Sequence, residues 1–291
     1  MRHAYKCPMR WADMDLLGHV NNVTYLDYLQ EARVDMFATH AGFTGVADLA
    51  EGVVVARHEV EFVSPLVFHR APVTVDVWVT EVRAAQFTLA YEVYDPAPEA
   101  GGGRRVYVRA SSVLVPYVFA GEHPRRLTTR EREVLARFLD PAEPRKPLPG
   151  TGAPRHVYPL KVRFSDVDVY RHVNNVMYFE FFQEARIQYL MDLHTRGEHW
   201  NDHVIARADV AYHRPMLFRM EPYEARSWVS HLGDRSFTIG SELCDGDEVL
   251  ASSRVRMVTF DRSEQRSAPM ATDQRARLAA ELAAAHAASA C

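Results

Sequence analysis

Two acids, a histidine and an asparagine pair recur at one spacing in this chain. Asp13-Met-Asp15-Leu-Leu-Gly-His19-Val-Asn21-Asn22-Val-Thr-Tyr25 is answered 153 positions later by Asp166-Val-Asp168-Val-Tyr-Arg-His172-Val-Asn174-Asn175-Val-Met-Tyr178. A carboxylate four residues before an imidazole places a nucleophile or general base near a second proton carrier. The asparagines precede a run with helical spacing, and a helix start offers unpaired backbone N–H groups to negative charge. A lone Asp before a helix is usually only a turn former or cap. The spacing of His199 and His203 would suit a metal on a helix, but no third ligand accompanies them, and they read as solvent-facing loop histidines.

The elements that position these residues are also duplicated. From Arg10–Arg33 to Arg163–Arg186, 13 of 24 positions are identical, so the chain is an internal duplication. Alternation of Cys7, Met9 and Trp11, and of Leu160, Val162 and Phe164, predicts a half-buried strand before each Asp pair. Asn21 or Asn22 suits the N-cap of the helix that follows. Tyr25, Leu29, Ala32 and Met36 share one helical face, as do Tyr178, Phe182, Ala185 and Tyr189, with further apolar residues on the flanks. Such a helix is expected to be wrapped by other structure. The wrapping is predicted from Val73–Val79, Phe87–Val93 and Val106–Val118, and from their counterparts through Trp228, Phe237 and Val249–Phe260, which alternate like antiparallel strands. Gly101-Gly102-Gly103 reads as a hairpin tip, since no Gly-Lys-Ser/Thr phosphate loop follows. Thr128-x-x-Glu131 predicts a capping box on a short helix to about Leu139. Thr272–Ala288 is its counterpart, with an Ala-rich end expected to fray. These readings give two helix-and-sheet units at 1–120 and 156–262, a linker with a short helix at 121–155, and a C-terminal helix at 263–291.

Composition narrows the function. Of 291 residues, 47% are apolar and 25% charged, as in ordinary globular chains. A net charge of −4 gives no basic field for nucleic acid. No apolar run reaches the roughly 18–20 residues that span a membrane. Cys7, Cys244 and Cys291 are far apart and unpatterned, which argues against a disulfide frame or zinc site. The expectation is a cytoplasmic protein without nucleic-acid or membrane partners.

A buried helix wrapped by an antiparallel sheet, preceded by Asp-x-Asp-x-x-x-His-Val-Asn-Asn, resembles the hotdog-fold thioesterases. It is most similar to the branch of 4-hydroxybenzoyl-CoA thioesterase-like and acyl-ACP thioesterases. The resemblance covers both halves. It implies an α+β fold of two tandem hotdog domains forming a pseudo-dimer within one chain, with a homodimer of that chain possible. It implies hydrolysis of an acyl-CoA to a free acid and coenzyme A, with no cofactor beyond the coenzyme A of the substrate and no metal. An acyl-ACP thioesterase or a non-catalytic acyl-CoA binding protein is the alternative. An enoyl-CoA hydratase fits less well, because the Asp-to-His spacing is one residue shorter than in hotdog hydratases and their Asn and Pro are absent.

The resemblance also assigns roles. Asp15 and Asp168 match the family's catalytic Asp, as nucleophile or as general base on water. His19 and His172 would orient the carboxylate or water, or protonate the leaving thiol. The N–H of Asn22 or Asn175 is the candidate oxyanion donor, and Asn21 and Asn174 would hold the loop. Asp13 and Asp166 read as turn formers or partners of Arg10 and Arg163. Glu31 and Glu184 read as partners of a nearby Arg at the domain interface. Arg57 and Arg207 would meet a phosphate of the substrate or form plain salt bridges. Plant-type acyl-ACP enzymes carry Asn where this chain has Leu17 and Tyr170, which argues against that carrier. It also marks a difference between the two sites.

Overall fold

The computed structural model describes residues 1–40, 52–96, 103–168, 170–261, 264 and 266–289. Two compact units divide the chain, Met1–Arg145 and Lys146–Cys291. In the first, strands β1 (His3–Cys7), β2 (Val53–Phe62), β3 (Val73–Val82), β4 (Phe87–Asp95) and β5 (Arg105–Val118) form an antiparallel sheet in the order β1-β3-β4-β5-β2, and β6 (His123–Pro124) pairs with β5. In the second, β7 (His156–Leu160), β8 (Asp202–Tyr212), β9 (Tyr223–Leu232), β10 (Ser236–Asp245) and β11 (Glu248–Asp261) repeat it as β7-β9-β10-β11-β8, and β12 (Arg266–Ser267) pairs with β11. Each sheet carries one long helix, α1 (Thr24–His40) or α3 (Met177–Leu193).

The helices are apolar nearly all round because the sheet surrounds them. Tyr25, Leu26, Tyr28, Leu29, Ala32, Met36 and Phe37 are buried on α1, as are Tyr178, Phe179, Phe181, Phe182, Ala185, Tyr189 and Leu190 on α3. Against α1 the sheet turns Val73, Val75, Val77, Val79, Phe87 and Leu89, all fully buried. Each large side chain removed from water contributes about 1.5–3 kcal/mol, so these faces fix the helix position. Pro8 follows β1 and cannot donate to the ladder. The predicted strands through Trp11 and Phe164 end early in both units, at Cys7 and at Leu160, although Lys161 stands in the second where Pro8 stands in the first; the Arg–Asp turns that follow take that backbone instead. Trp11 and Phe164 instead open short 3-10 turns and are 72% and 82% exposed, each edge-on to a second ring, Phe68 or Phe218.

The short helix α2 (Thr129–Ala136) starts at the predicted cap. Thr128 Oγ1 accepts the Glu131 N–H at 3.2 Å and Glu131 accepts the Thr128 N–H at 2.7 Å. The helix belongs to the first unit, and the chain after it bonds to β3 through Val79 N–H to Phe138 O and Asp140 N–H to Val79 O. Helix α4 (Thr272–Ser289) packs on β9 of the second unit. Its Ala-rich end is helical to Ser289. Ala285 is fully buried and its carbonyl accepts the Ala153 N–H, which tethers that end. Gly240 admits Trp228 against the sheet: a Cβ there would lie 2.6 Å from the indole. Gly101, Gly102 and Cys291 lie outside the described residues.

Candidate active site

Each Asp pair is built into a small hairpin. A 3-10 turn closes with Asp13 N–H to Arg10 O (3.0 Å) and Asp166 N–H to Arg163 O (3.1 Å). Met14 then bridges Val20 and Val167 bridges Val173, both antiparallel. At the tip, Asp15 N–H donates to His19 O at 2.9 Å and Gly18 N–H donates to Asp15 O at 3.0 Å. Asp168, His172 and Arg171 repeat these bonds at 2.8 and 3.0 Å. This is a three-residue hairpin loop, whose last position requires left-handed backbone. Gly18 fills it with φ 77°, Arg171 with φ 65°.

The first acid of each pair is structural in its contacts. Asp13 is buried and accepts the Arg10 N–H (2.7 Å), the Arg10 Nε–H (2.8 Å) and the Tyr28 hydroxyl (2.6 Å). Its carbonyl accepts the Asn21 N–H, which ties the hairpin to the approach of α1. Asp166 accepts the Arg163 N–H at 2.7 Å, and its carbonyl accepts the Asn174 N–H. Phe181 stands where Tyr28 does, so Asp166 gains no such hydroxyl.

The second acid is half-buried and points to a different use. Oδ1 of Asp15 accepts the Leu17 N–H at 2.8 Å, and Oδ1 of Asp168 accepts the Tyr170 N–H at 2.9 Å. Neither Oδ2 receives a hydrogen bond among the described residues. One oxygen is thus fixed and the other stays available to a water or a carbonyl carbon. His19 and His172 lie opposite the acids across the ribbon. No hydrogen bond or ion pair joins the Asp15 and His19 side chains among the described residues.

Asn21 and Asn174 lie three residues ahead of Thr24 and Met177, yet make the bonds of an N-cap: each carbonyl accepts the N–H of that first helical residue (3.1 and 2.9 Å). Asn21 Oδ1 accepts the Val23 N–H (2.8 Å) and Asn174 Oδ1 accepts the Val176 N–H (3.1 Å). Helix α3 begins at Met177 with Val176 at its N-cap and no capping side chain. Each Asn thus opens a single turn that runs into its helix, its short side chain taking the N–H two positions on. The Asn175 side chain donates to Asn174 Oδ1 at 3.3 Å. The Asn22 N–H, between this turn and the start of α1, meets no acceptor among the described residues. It is the type of donor an oxyanion needs.

Two tyrosines that look like core filling in sequence hold the hairpin to the helix. The Tyr178 hydroxyl accepts the Met216 N–H at 2.9 Å, while Met216 O accepts the Val173 N–H at 2.9 Å. In the first unit Leu66 O accepts the Val20 N–H at 2.8 Å, and the Leu66 backbone lies beside the Tyr25 phenol. Burial pushes both phenols up, so they stay protonated. The Tyr at a fixed distance after Asn-Asn was the available signal.

The remaining candidates lie elsewhere. Arg57 pairs with Glu59 at 2.7 Å, and Arg207 grips Asp209 through Nε (2.7 Å) and Nη2 (2.9 Å). Both follow an alanine, Ala56 or Ala206, that the ladder skips as a bulge. Glu31 and Glu184 are exposed and join no arginine ion pair among the described residues. Two positions on, Arg33 and Arg186 point the other way and are buried, as helical periodicity requires. Arg33 Nη1 has no hydrogen-bond partner among the described residues, and burial lowers the Arg186 guanidinium to about 10. His203 is not a loop histidine: it lies on β8 with its ring 5.7 Å from Phe237, and burial followed by Arg186 holds it below the usual histidine range. The spacing to His199 lies on no helix, and among the described residues no three His, Cys, Asp or Glu converge to hold a metal.

Comparison with known proteins assigns the class. The model of the thioesterase-like superfamily matches residues 9–138 and 162–278, one segment per unit. The chain belongs to that superfamily, and its class is that of the thioester hydrolases. It is similar in fold to a structure assigned as an oleoyl thioesterase from Lactobacillus plantarum (TM-score 0.70, 19% identity, covering 90% of this chain and 98% of that one). It is similar also to a 12:0-ACP thioesterase from Umbellularia californica (0.65, 16%, 89% and 94%) and an acyl-ACP thioesterase from Bacteroides thetaiotaomicron (0.63, 17%, 88% and 97%). Their likeness gives the tandem hotdog fold. No curated protein matches the chain. No helix of the described residues is long and apolar enough to cross a membrane.

Proposed function

We propose that this thioesterase hydrolyses an acyl-CoA to a free carboxylic acid and coenzyme A, with Asp15 and Asp168 as the reacting carboxylates. One observation carries the reading: in both units the second acid keeps one oxygen tied to a turn N–H and the other without a donor. That carboxylate either attacks the thioester carbonyl or takes a proton from the attacking water. The negative oxygen that develops would be met by the amide at the head of the helix, Asn22 or Asn175. His19 and His172, backbone-paired with the acids, would return a proton to the leaving thiol. Arg57 and Arg207, already paired with carboxylates, would reach a substrate phosphate only by exchanging those partners.

The carrier is read as coenzyme A rather than acyl carrier protein, because Leu17 and Tyr170 stand where plant-type acyl-ACP enzymes carry Asn. Thiol release from short, long and aromatic acyl-CoAs, and from acyl-ACP, tests both points in the parent, Asp15→Asn, Asp168→Asn and the double variant. Each single variant should keep part of the activity and the double should lose about 100-fold or more. A double variant as active as the parent would remove both acids from the chemistry. Turnover of acyl-ACP alone would change the carrier.

A further inference from the structure

The two turns differ most at the residue that closes the hairpin. Gly18 and Arg171 occupy the same place, each donating its N–H to its Asp carbonyl at 3.0 Å in left-handed backbone. Glycine enters that region freely, whereas an arginine does so against the clash of its Cβ with the following carbonyl. Nothing within the unit compensates. Arg171 is exposed, and its guanidinium has no carboxylate, carbonyl or ring partner among the described residues. Strain retained beside a reacting group, with no internal return, points to a role toward a ligand. The first turn has the opposite chemistry: Leu16 and Leu17 are exposed and Gly18 carries no side chain.

We propose that Arg171 is a specificity-determining residue of the second site, binding the phosphate ester of a phosphopantetheine arm, and that the first site lacks this contact. The proposal rests on the thioesterase reading for the kind of ligand. A guanidinium matches phosphate with paired N–H donors. The turn sets the Arg171 Cα within about 7 Å of that of Asp168, and no ion pair joins the two side chains among the described residues, so the exposed guanidinium is open to a group on the ligand. Such a contact is remote from the reacting carbonyl and equal in ground and transition states, so it lowers KM and leaves kcat unchanged. The phosphate comes either from coenzyme A or from a carrier protein.

The test uses the full chain and S-alkyl thioethers of pantetheine, 4′-phosphopantetheine and coenzyme A, which bind without turnover. By calorimetry, one of the two sites in the parent should prefer phosphopantetheine to pantetheine about 10-fold, the worth of one exposed charge-assisted contact. Arg171→Gly, which suits the backbone, should abolish that preference, and Arg171→Lys should keep most of it. A coenzyme A thioether that binds no tighter than the phosphopantetheine one would identify the shared phosphate as sufficient; tighter binding would identify coenzyme A as the source. The proposal is overturned if Arg171→Gly binds the phosphorylated thioether like the parent, or weakens both thioethers equally. Thioether binding with no hydrolysis of any matching thioester would instead overturn the thioesterase reading.

Discussion

The N–H of Asp15 donates to the carbonyl of His19 at 2.9 Å, and Asp168 repeats the bond to His172 at 2.8 Å. A spacing of four residues thus becomes a cross-strand pair. The acid and the imidazole are registered by the backbone before any side-chain contact forms. A substrate entering between them would meet groups whose separation the hairpin sets.

That registration depends on the helix tyrosines. Tyr178→Phe leaves the buried Met216 N–H without its acceptor, which costs about 1–3 kcal/mol. Urea unfolding should show that loss. In an Asp15→Asn background, where only the second site is intact, kcat should fall with it. Unchanged stability and unchanged kcat would show that the hairpin holds without the phenol.

Tyr28 supports Asp13 in the first unit only. Burial, then the hydrogen bond to Asp13, push its phenol up, so it remains a donor. Tyr28→Phe should destabilise by about 1.5–3 kcal/mol, the range for a hydrogen bond to a charged group. The second unit already has Phe181 there, so Phe181→Leu should cost only packing. A cost below about 0.5 kcal/mol for Tyr28→Phe would mean that Arg10 alone satisfies Asp13.

The left-handed hairpin position gives two changes of opposite sign. Gly18→Ala should destabilise by about 1 kcal/mol although a Cβ there meets nothing within 4 Å, because the penalty is in the backbone itself. Arg171→Gly should stabilise by up to about 1 kcal/mol, less the extra freedom of glycine in the unfolded chain. Thermal melts of the two variants should move apart. Movement in the same direction would place the strain elsewhere.

Glu131 sets a pH dependence. Burial raises its carboxyl, but the Arg125 guanidinium and the Thr128 N–H outweigh that and hold it below the usual range. A depressed folded value means that the stabilisation is present above about pH 4.5 and is lost as pH falls through the folded value. Glu131→Gln should therefore lower Tm near neutral pH, and the gap to the parent should close as acid protonates the folded carboxyl. A gap that is constant with pH would assign the effect to the capping geometry alone.

The duplicated motif, the strand alternation and the capping box at Thr128 were legible because they rest on local spacing. Side-chain destinations were less so. Trp11 and Phe164 continue an alternating pattern yet lie exposed beyond Pro8 and Leu160, since the Arg–Asp turn competes successfully for that backbone. Asn21 and Asn174 make the capping bonds their type predicts, but one turn ahead of the regular helix. Glu31 and Glu184 were expected to meet an arginine, but helical rotation sends Arg33 and Arg186 inward.

The sequence by itself determined the duplication, the wrapped-helix architecture and the superfamily, because periodicity and repeat are properties of neighbours along the chain. Only the tertiary structure decided which oxygen of Asp15 and Asp168 is left without a donor among the described residues, that Leu66 and Met216 hold the hairpins through Val20 and Val173, and that Met216 is itself held by Tyr178. Only there does Arg171 emerge in a conformation its counterpart leaves to glycine. Those facts depend on hydrogen bonds between residues far apart in the chain, Val20 with Leu66 and Val173 with Met216, and no local pattern encodes which donor a buried acceptor will meet.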